Sequence, residues 1–62
     1  MKELNSFVSA DKGRRAIVYE CKQGHKVECY QESYLVKTIL LPDKSIHYAE
    51  DTAENFITGI IQ

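Results

Sequence analysis

The sequence predicts an α+β fold, a small antiparallel β-meander of four to five strands with one C-terminal helix packed on one face. Before residue 49, short runs of β-branched and aromatic residues alternate with turn residues, which is typical of strands. The last fourteen residues, 49–62, form the stretch with apolar residues at helical spacing. With 62 residues, the chain is expected to form a single small domain over residues 1–62.

Two glycines predict the first two turns. Gly13 ends the turn Ala10-Asp11-Lys12-Gly13 after an N-terminal strand over roughly residues 3–9, a register that pairs Phe7 with Ile17. Gly24 ends a three-residue loop with a bulge, which pairs Cys21 with His25. Side chains alternate along a strand, so one face receives Ile17, Tyr19, Cys21, Val27 and Cys29. The other face receives Ala16, Val18, Glu20, Lys26, Glu28 and Tyr30, with Glu20 opposite Lys26.

The segment Tyr34–Leu41 is the strongest β-strand candidate, and both of its faces are largely apolar. Such a strand is either central and covered on both sides or leaves one face available for contact. Pro42-Asp43 then suits the centre of a turn, because proline fixes φ at the first central position. Ser45–Ala49 is predicted to be a short last strand.

The C-terminal helix is predicted from an apolar stripe and a cap. The stripe has the i, i+3, i+4, i+7 spacing of a buried helix face and consists of Ala53, Phe56, Ile57 and Ile60. Asp51 followed by Glu54 resembles a capping box, and acidic residues suit the positive end of the helix dipole.

The composition narrows the classes of function. Charged residues make up 27% and hydrophobic residues 44%, as in an ordinary globular domain. The formal net charge of −1 gives no general attraction to nucleic acid or to anionic lipid. No apolar run approaches the ~18 residues that span a membrane. Residues 1–6 lack the apolar core of a signal peptide, so we expect a cytoplasmic protein with reduced thiols and no membrane partner.

Residue types that bind zinc are present at unfavourable spacing. Cys21, His25 and Cys29 follow the pattern Cys-x3-His-x3-Cys, unlike the paired knuckles of structural zinc sites, and His47 lies far along the chain. In the predicted register Cys29 lies opposite Ile17, which places the two thiols roughly 13 Å apart at ~3.3 Å per residue. We therefore expect no metal, no disulfide and no cofactor.

His47 near Glu50 and Asp51 is the nearest approach to acid–base chemistry. No nucleophile motif or glycine-rich phosphate loop accompanies it, and a chain of this size has little room for a concave pocket. The sequence therefore predicts a protein that is not an enzyme and assigns no catalytic residue.

A basic cluster at the first turn supports an alternative function. Lys12, Arg14 and Arg15 could contact phosphates, and a sheet followed by a helix is the arrangement with which some phage-integrase and plant AP2-type domains bind DNA. Phosphate contacts need several cations, however, and the chain is slightly acidic. Nucleic-acid binding through this turn is therefore the second hypothesis.

An apolar surface on the face away from the helix supports the leading hypothesis. A lone helix covers one face of a sheet, and the predicted register leaves apolar side chains on the other. Contiguous exposed apolar surface often marks an interface. We predict a non-enzymatic accessory module that acts by protein–protein contact, as a homodimer or with an unidentified protein partner, through Leu4, Val8, Val18 and Tyr30.

Several segments also carry a resemblance to a group of proteins. They are the opening Met1-Lys2-Glu3-Leu4, the turn Asp11-Lys12-Gly13-Arg14, the strand Ala16-Ile17-Val18-Tyr19, and Tyr48-Ala49-Glu50-Asp51-Thr52-Ala53-Glu54-Asn55. Together they resemble short uncharacterised proteins encoded by tailed phages, particularly those of marine cyanobacteria. The chain departs from that group in its apolar segment Tyr34–Leu41. The resemblance implies a virus-encoded accessory protein in an infected bacterial cytoplasm or in the virion, and it supplies no catalytic residue.

Overall fold

Four antiparallel strands and a helix follow one another along the chain. A computed structural model describes residues 2–59. The strands are β1 (Lys2–Ser9), β2 (Arg14–Cys21), β3 (Gly24–Gln31) and β4 (Tyr34–Pro42), and the helix is α1 (Ile46–Thr58). Neighbours in the chain are neighbours in the sheet, in the order β1-β2-β3-β4. The predicted α+β fold with a C-terminal helix is therefore confirmed, with four strands rather than five.

The register of the two N-terminal hairpins differs from the predicted one by a single residue. Cys21 pairs with Gly24 across a two-residue loop, not with His25. Phe7 pairs with Ala16, not with Ile17. Gly24 does not end the turn, because it is the first residue of β3 and lies against β4. A Cβ atom at this position would lie 2.4 Å from the carbonyl oxygen of Leu41, which only glycine avoids.

The register shift exchanges the two faces of β2, because side chains alternate with a period of two. Ala16 and Val18 point toward the helix and are fully buried, opposite Cys29 and Val27. The face without the helix, called the open face below, instead carries Ile17, Tyr19, Cys21, Lys26, Glu28 and Tyr30. The predicted pair of Glu20 with Lys26 is also wrong, since Glu20 lies opposite His25 on the helix side.

The hydrophobic core lies between α1 and the inner face of the sheet. Its buried members are Ala16, Val18, Val27, Cys29, Leu41, Ala49, Ala53, Phe56 and Ile57, with Leu4, Phe7, Ile39 and Ile46 packed at the margin. Val18, predicted to be an interface residue, is therefore a central core residue with no exposed surface. The cause is the one-residue shift of the β2–β3 hairpin.

The helix begins earlier than predicted, and the predicted strand Ser45–Ala49 does not form. Ser45 is the N-cap and accepts a hydrogen bond from the Tyr48 backbone N–H. Asp51 and Glu54 therefore lie within the helix and do not form its capping box. The serine cap satisfies one of the unpaired N–H groups of the first turn, so the helix can start at Ile46 and bury Ala49 as well as Ala53, Phe56 and Ile57. The last stripe residue, Ile60, lies outside the described residues.

Candidate interaction surface

Strand β4 carries most of the exposed large apolar side chains. The helix packs mainly against β1, β2 and β3, so β4 extends past its cover. Ile39 and Leu41 point inward to the core. The other large apolar residues of the strand are exposed to solvent, with exposed fractions of 75% for Tyr34, 51% for Leu35, 55% for Val36 and 70% for Leu40. We call these four residues the β4 surface.

The backbone of β4 is also available along its outer edge. Asp43 donates its backbone N–H to the Gln23 carbonyl at 2.9 Å, which identifies a hydrogen-bonded pair just past the strand. Hydrogen-bonded and non-hydrogen-bonded pairs alternate in an antiparallel ladder, so Leu41 and Ile39 direct their peptide groups toward β3. Thr38 and Leu40 between them direct their N–H and C=O groups outward. Among the described residues, strand β4 therefore offers both exposed apolar side chains and outward-directed peptide groups.

The centre of the open face is polar and internally satisfied. Tyr30 donates its hydroxyl to Glu28 Oε1 at 3.0 Å, and Lys26 Nζ lies 3.2 Å from Glu28 Oε2. Arg15 stacks over the Tyr30 ring at 5.1 Å, and Lys26 stacks over the Tyr19 ring at 5.0 Å. We call these five residues, Arg15, Tyr19, Lys26, Glu28 and Tyr30, the open-face network. Ile17 lies among them on the same face, opposite Glu28. It is only 8% exposed although no helix covers it.

The network shifts the pKa values of its members. Desolvation raises the pKa of Glu28, but hydrogen bonds from Lys26, Tyr30 and Tyr19 outweigh it and lower that pKa overall. The pKa of Tyr30 is raised, first by its hydrogen bond to Glu28. The pKa of Tyr19 is also raised, first by desolvation and then by its hydrogen bond to the Glu28 carboxylate. Glu28 is thus held ionised and both phenols are held protonated, as expected of a stable structural network.

The four predicted interface residues do not form one surface. Val18 is in the core, and Leu4 packs against the core from a bulge in β1. Val8 and Tyr30 do share the open face, because each lies opposite Arg15. Tyr30, however, belongs to the polar network, so Val8 alone of the four is an exposed apolar side chain, at 65%.

The residues of the β4 surface were not named by the sequence prediction, although a signal for them was present. Both faces of Tyr34–Leu41 are apolar, and Lys37 is its only charged residue. A strand of that type is either buried on both sides or apolar at the surface. Its position at the sheet edge, on the far side from β1, makes it the second case.

The basic cluster at the first turn is divided between the two faces of the sheet. Arg14 donates from Nη1 to the Phe56 carbonyl at 3.0 Å and from Nε to Gln31 at 3.1 Å, and it stacks on the Phe56 ring at 5.3 Å. It therefore caps the carbonyl end of the helix, which ends at Gly59 in a left-handed conformation. Arg15 lies on the open face, and Lys12 lies in the β1–β2 loop. The side chains of Lys12 and Arg14 both approach Gly59, but Arg15 lies on the other face, so the structure does not bring the three cations together.

The sites considered for chemistry are dispersed. Cys21 and Cys29 are both free, on opposite faces of the sheet, and burial raises the pKa of the Cys29 thiol. His47 is 88% exposed on the helix, 3.8 Å from Glu50. Within residues 2–59, no group of three or more His, Cys, Asp or Glu side chains could hold a metal ion.

Two open depressions flank the sheet. One of about 350 Å³ lies between the β1–β2 and β3–β4 loops beside Arg15 and Ser33. The other, of about 230 Å³, lies at the end of β4 between Cys21, Leu40 and Pro42. The second is lined by both Cys21 and His25, but these lie on opposite faces of the sheet and His25 Nδ1 lies 2.8 Å from the Lys44 carbonyl oxygen. The second depression shares Leu40 with the β4 surface and adds the apolar residues Leu41 and Pro42 beside it.

Comparison with known proteins adds no assignment, since no family model, curated protein or solved structure matches the chain. Across the described residues 2–59, no helix has the length and apolar character needed to cross a membrane.

Proposed function

We propose that this protein is a non-enzymatic interaction module that acts by protein–protein contact, and that a second copy of the chain binds its β4 surface. The observation that carries the proposal is the exposure of Leu35, Val36 and Leu40 on an edge strand beyond the helix. Natural proteins usually shorten, charge or cover such edges, because they invite pairing with another chain. An edge left long and apolar is best explained by a partner.

Self-association also suits the size of the chain. A domain of about 60 residues buries only about 60% of its unfolded surface and is marginally stable alone. Burying the β4 surface adds roughly 25 cal/mol for each Å² of apolar area removed from water. A second copy therefore supplies hydrophobic stabilisation that one chain of 62 residues cannot.

Protein contact is favoured over the alternative, nucleic-acid binding through Lys12, Arg14 and Arg15. Arg14 is committed to the helix end and Arg15 to the Tyr30 ring. The open face, which an extended nucleic acid would occupy, has the carboxylate of Glu28 at its centre. Phosphate binding needs several free cations on one surface, which this arrangement does not provide.

The resemblance to tailed-phage proteins is compatible with this function. We propose a virus-encoded accessory role in an infected bacterial cytoplasm or in the virion. A module that binds through a strand edge and an apolar surface needs no active site.

A matched pair of variants tests the proposal. Leu40 and Val8 are aliphatic, 70% and 65% exposed, and lie on the open face at opposite edges of the sheet. Sedimentation equilibrium over a concentration series should show a dimer for the wild type. Leu40→Lys should raise the dimer dissociation constant at least about tenfold, which corresponds to ~1.4 kcal/mol. Val8→Lys should change it less than about twofold.

Two outcomes contradict the proposal. A wild-type protein that stays monomeric at high micromolar concentration has no self-association to explain. A dimer that is weakened by Val8→Lys and not by Leu40→Lys places the interface on the β1 side. Binding of single-stranded nucleic acid that weakens steeply with salt, and is lost when Lys12 and Arg15 are reversed in charge, would favour the alternative function.

A further inference from the structure

We infer that two copies pair through their β4 strands, antiparallel about a two-fold axis at Thr38, so that two four-stranded sheets become one continuous sheet of eight strands. This inference rests on the proposed function and specifies its geometry. The alternative geometry is a face-to-face contact of the two open faces. The polar network centred on Glu28 disfavours that packing, because it would bury an ion pair and two phenols.

The free edge of β4 has the groups that strand pairing requires. Thr38 and Leu40 direct their peptide N–H and C=O groups away from β3, as argued from the Asp43–Gln23 hydrogen bond. Pro42, which lacks an N–H, occupies the next outward position at the very end of the strand. The missing donor therefore falls where it interrupts pairing least, and Thr38 and Leu40 keep both of their peptide groups directed outward.

The register follows from the length and charge of the strand. Strand β4 covers nine residues, 34–42, and Thr38 is its midpoint, so an axis there gives the greatest overlap of the two strands. This register places Leu40 near Val36 of the second copy, at the bulge that leaves Val36 without a partner on β3, and brings two exposed apolar side chains together. An axis at Lys37 would instead set two ammonium groups directly opposite, which destabilises a pair of strands.

Pairing of β4 with β1 of another copy is disfavoured by the character of β1. That edge carries a bulge between Glu3 and Asn5, two exposed charged residues at its start, and a hydrogen bond from Asn5 to Glu50 on the helix. Strand β4 also has a bulge, at Val36, so the two edges differ in the exposed charges of β1 and in its hydrogen bond to the helix, both of which hinder pairing. Head-to-tail contacts would also give rings or open filaments, whereas β4 with β4 closes as a dimer.

The available area suits a specific but reversible dimer. The exposed fractions of the β4 surface set an upper limit of roughly 500 Å² per copy and about 1,000 Å² per dimer, at the lower bound for specific interfaces, because edge pairing covers only part of each side chain. A net charge of −1 per copy gives little repulsion between the two chains. We therefore expect a dimer whose population depends on concentration in the micromolar range.

A cysteine at the axis gives a direct test. In a Cys21→Ser background, Thr38→Cys places two thiols opposite each other with Cα atoms about 5.5 Å apart, within the range of a disulfide. Leu40→Cys is the matched control, because its own copy lies four positions away along the strand, or about 13 Å. After mild oxidation, Thr38→Cys should form linked dimers roughly tenfold faster, as expected when thiols are held at high effective concentration. Cys29 remains in place because it is fully buried.

A proline at the same position gives a second test. Thr38→Pro removes an outward N–H and leaves the bonds to β3, so the chain should fold and its dissociation constant should rise at least about tenfold. If wild type dimerises and Leu40→Lys disrupts the dimer, but Thr38→Cys crosslinks no faster than Leu40→Cys, this geometry is wrong and the proposed function stands. If Cys21→Ser and wild type are both monomeric, both proposals fail. If Thr38→Pro does not fold, the crosslinking rates alone decide the geometry.

Discussion

The two edge strands, β1 and β4, close the same sheet with opposite surface chemistry. Both strands contain a bulge, but β1 begins with charged residues and packs Leu4 and Phe7 under the helix. Strand β4 pairs with β3 and turns Leu35, Val36 and Leu40 to solvent. A free strand edge is a hazard in water, and the chain blocks one of its two edges but not the other.

The difference follows from where the helix lies. One helix with its side chains is about 10–12 Å across, which is narrower than four strands spaced ~4.8 Å apart, and α1 packs mainly against β1, β2 and β3. It is fixed on the β1–β3 side by the Asn5–Glu50 hydrogen bond and by Arg14 at its C-terminal end. Strand β4 is left outside, so the placement of α1 decides which edge can bind a partner.

The largest expected difference between the two edges is in folding stability. Phe7→Ala removes a ring packed against the core from β1 and should lower the free energy of unfolding by about 2–3 kcal/mol. Leu35→Ala on β4 should lower it by less than about 0.5 kcal/mol in protein dilute enough to be monomeric. Urea denaturation followed by circular dichroism measures both. Equal losses would show that the helix stabilises both edges alike.

The sequence predicts the architecture well and the register poorly, for a physical reason. Strand and helix patterns extend over many residues, so the fold class and the strand Tyr34–Leu41 could be identified. Register depends on a single turn residue, and Gly24 can be read either as a turn residue or as a strand residue that avoids a clash. The clash with Leu41 comes from β4, which local sequence does not reveal.

The same limit explains what was missed at the candidate site. One shifted residue moved Val18 from the open face into the core and left Tyr30 in a polar network. The exposure of Leu40 depends on β4 being at the edge and on the helix stopping short of it. Arg14 is adjacent to Arg15 in sequence, yet strand alternation sends it to the helix face.

A smaller effect is expected at the contact that fixes the helix end. Arg14→Ala removes hydrogen bonds to Phe56 and Gln31 and should lower the free energy of unfolding by about 1–2 kcal/mol. Arg15→Ala is the matched control with the same change of charge. It loses a stacking contact on Tyr30 and should cost no more than about 0.5–1 kcal/mol. Thermal and urea denaturation of the pair compare them, and a larger loss at Arg15 would contradict the capping role.

The smallest effect concerns the open-face network that lies between the two edges, and it depends on pH. The pKa of Glu28 is lowered in the folded protein, so its contribution to stability is present above the unfolded value near 4.5. That contribution is lost as pH falls through the lower, folded pKa. The pKa of Tyr19 is raised above 10.0, so its contribution is present below that value and is lost as pH rises through the folded pKa.

Glu28→Gln should therefore flatten the pH dependence of unfolding at both ends, because Glu28 is a partner of both cations and phenols. The measurement is urea denaturation of wild type and variant across the acid and alkaline ranges. The variant should retain the dimer dissociation constant of the wild type, since Glu28 is opposite Thr38 on the β3 side of β4 and not on its outer edge. A variant that keeps the full pH dependence would show that the network contributes nothing. One that loses dimerisation would move the interface from the strand edge to the open face, and the contrast between β1 and β4 would then no longer explain binding.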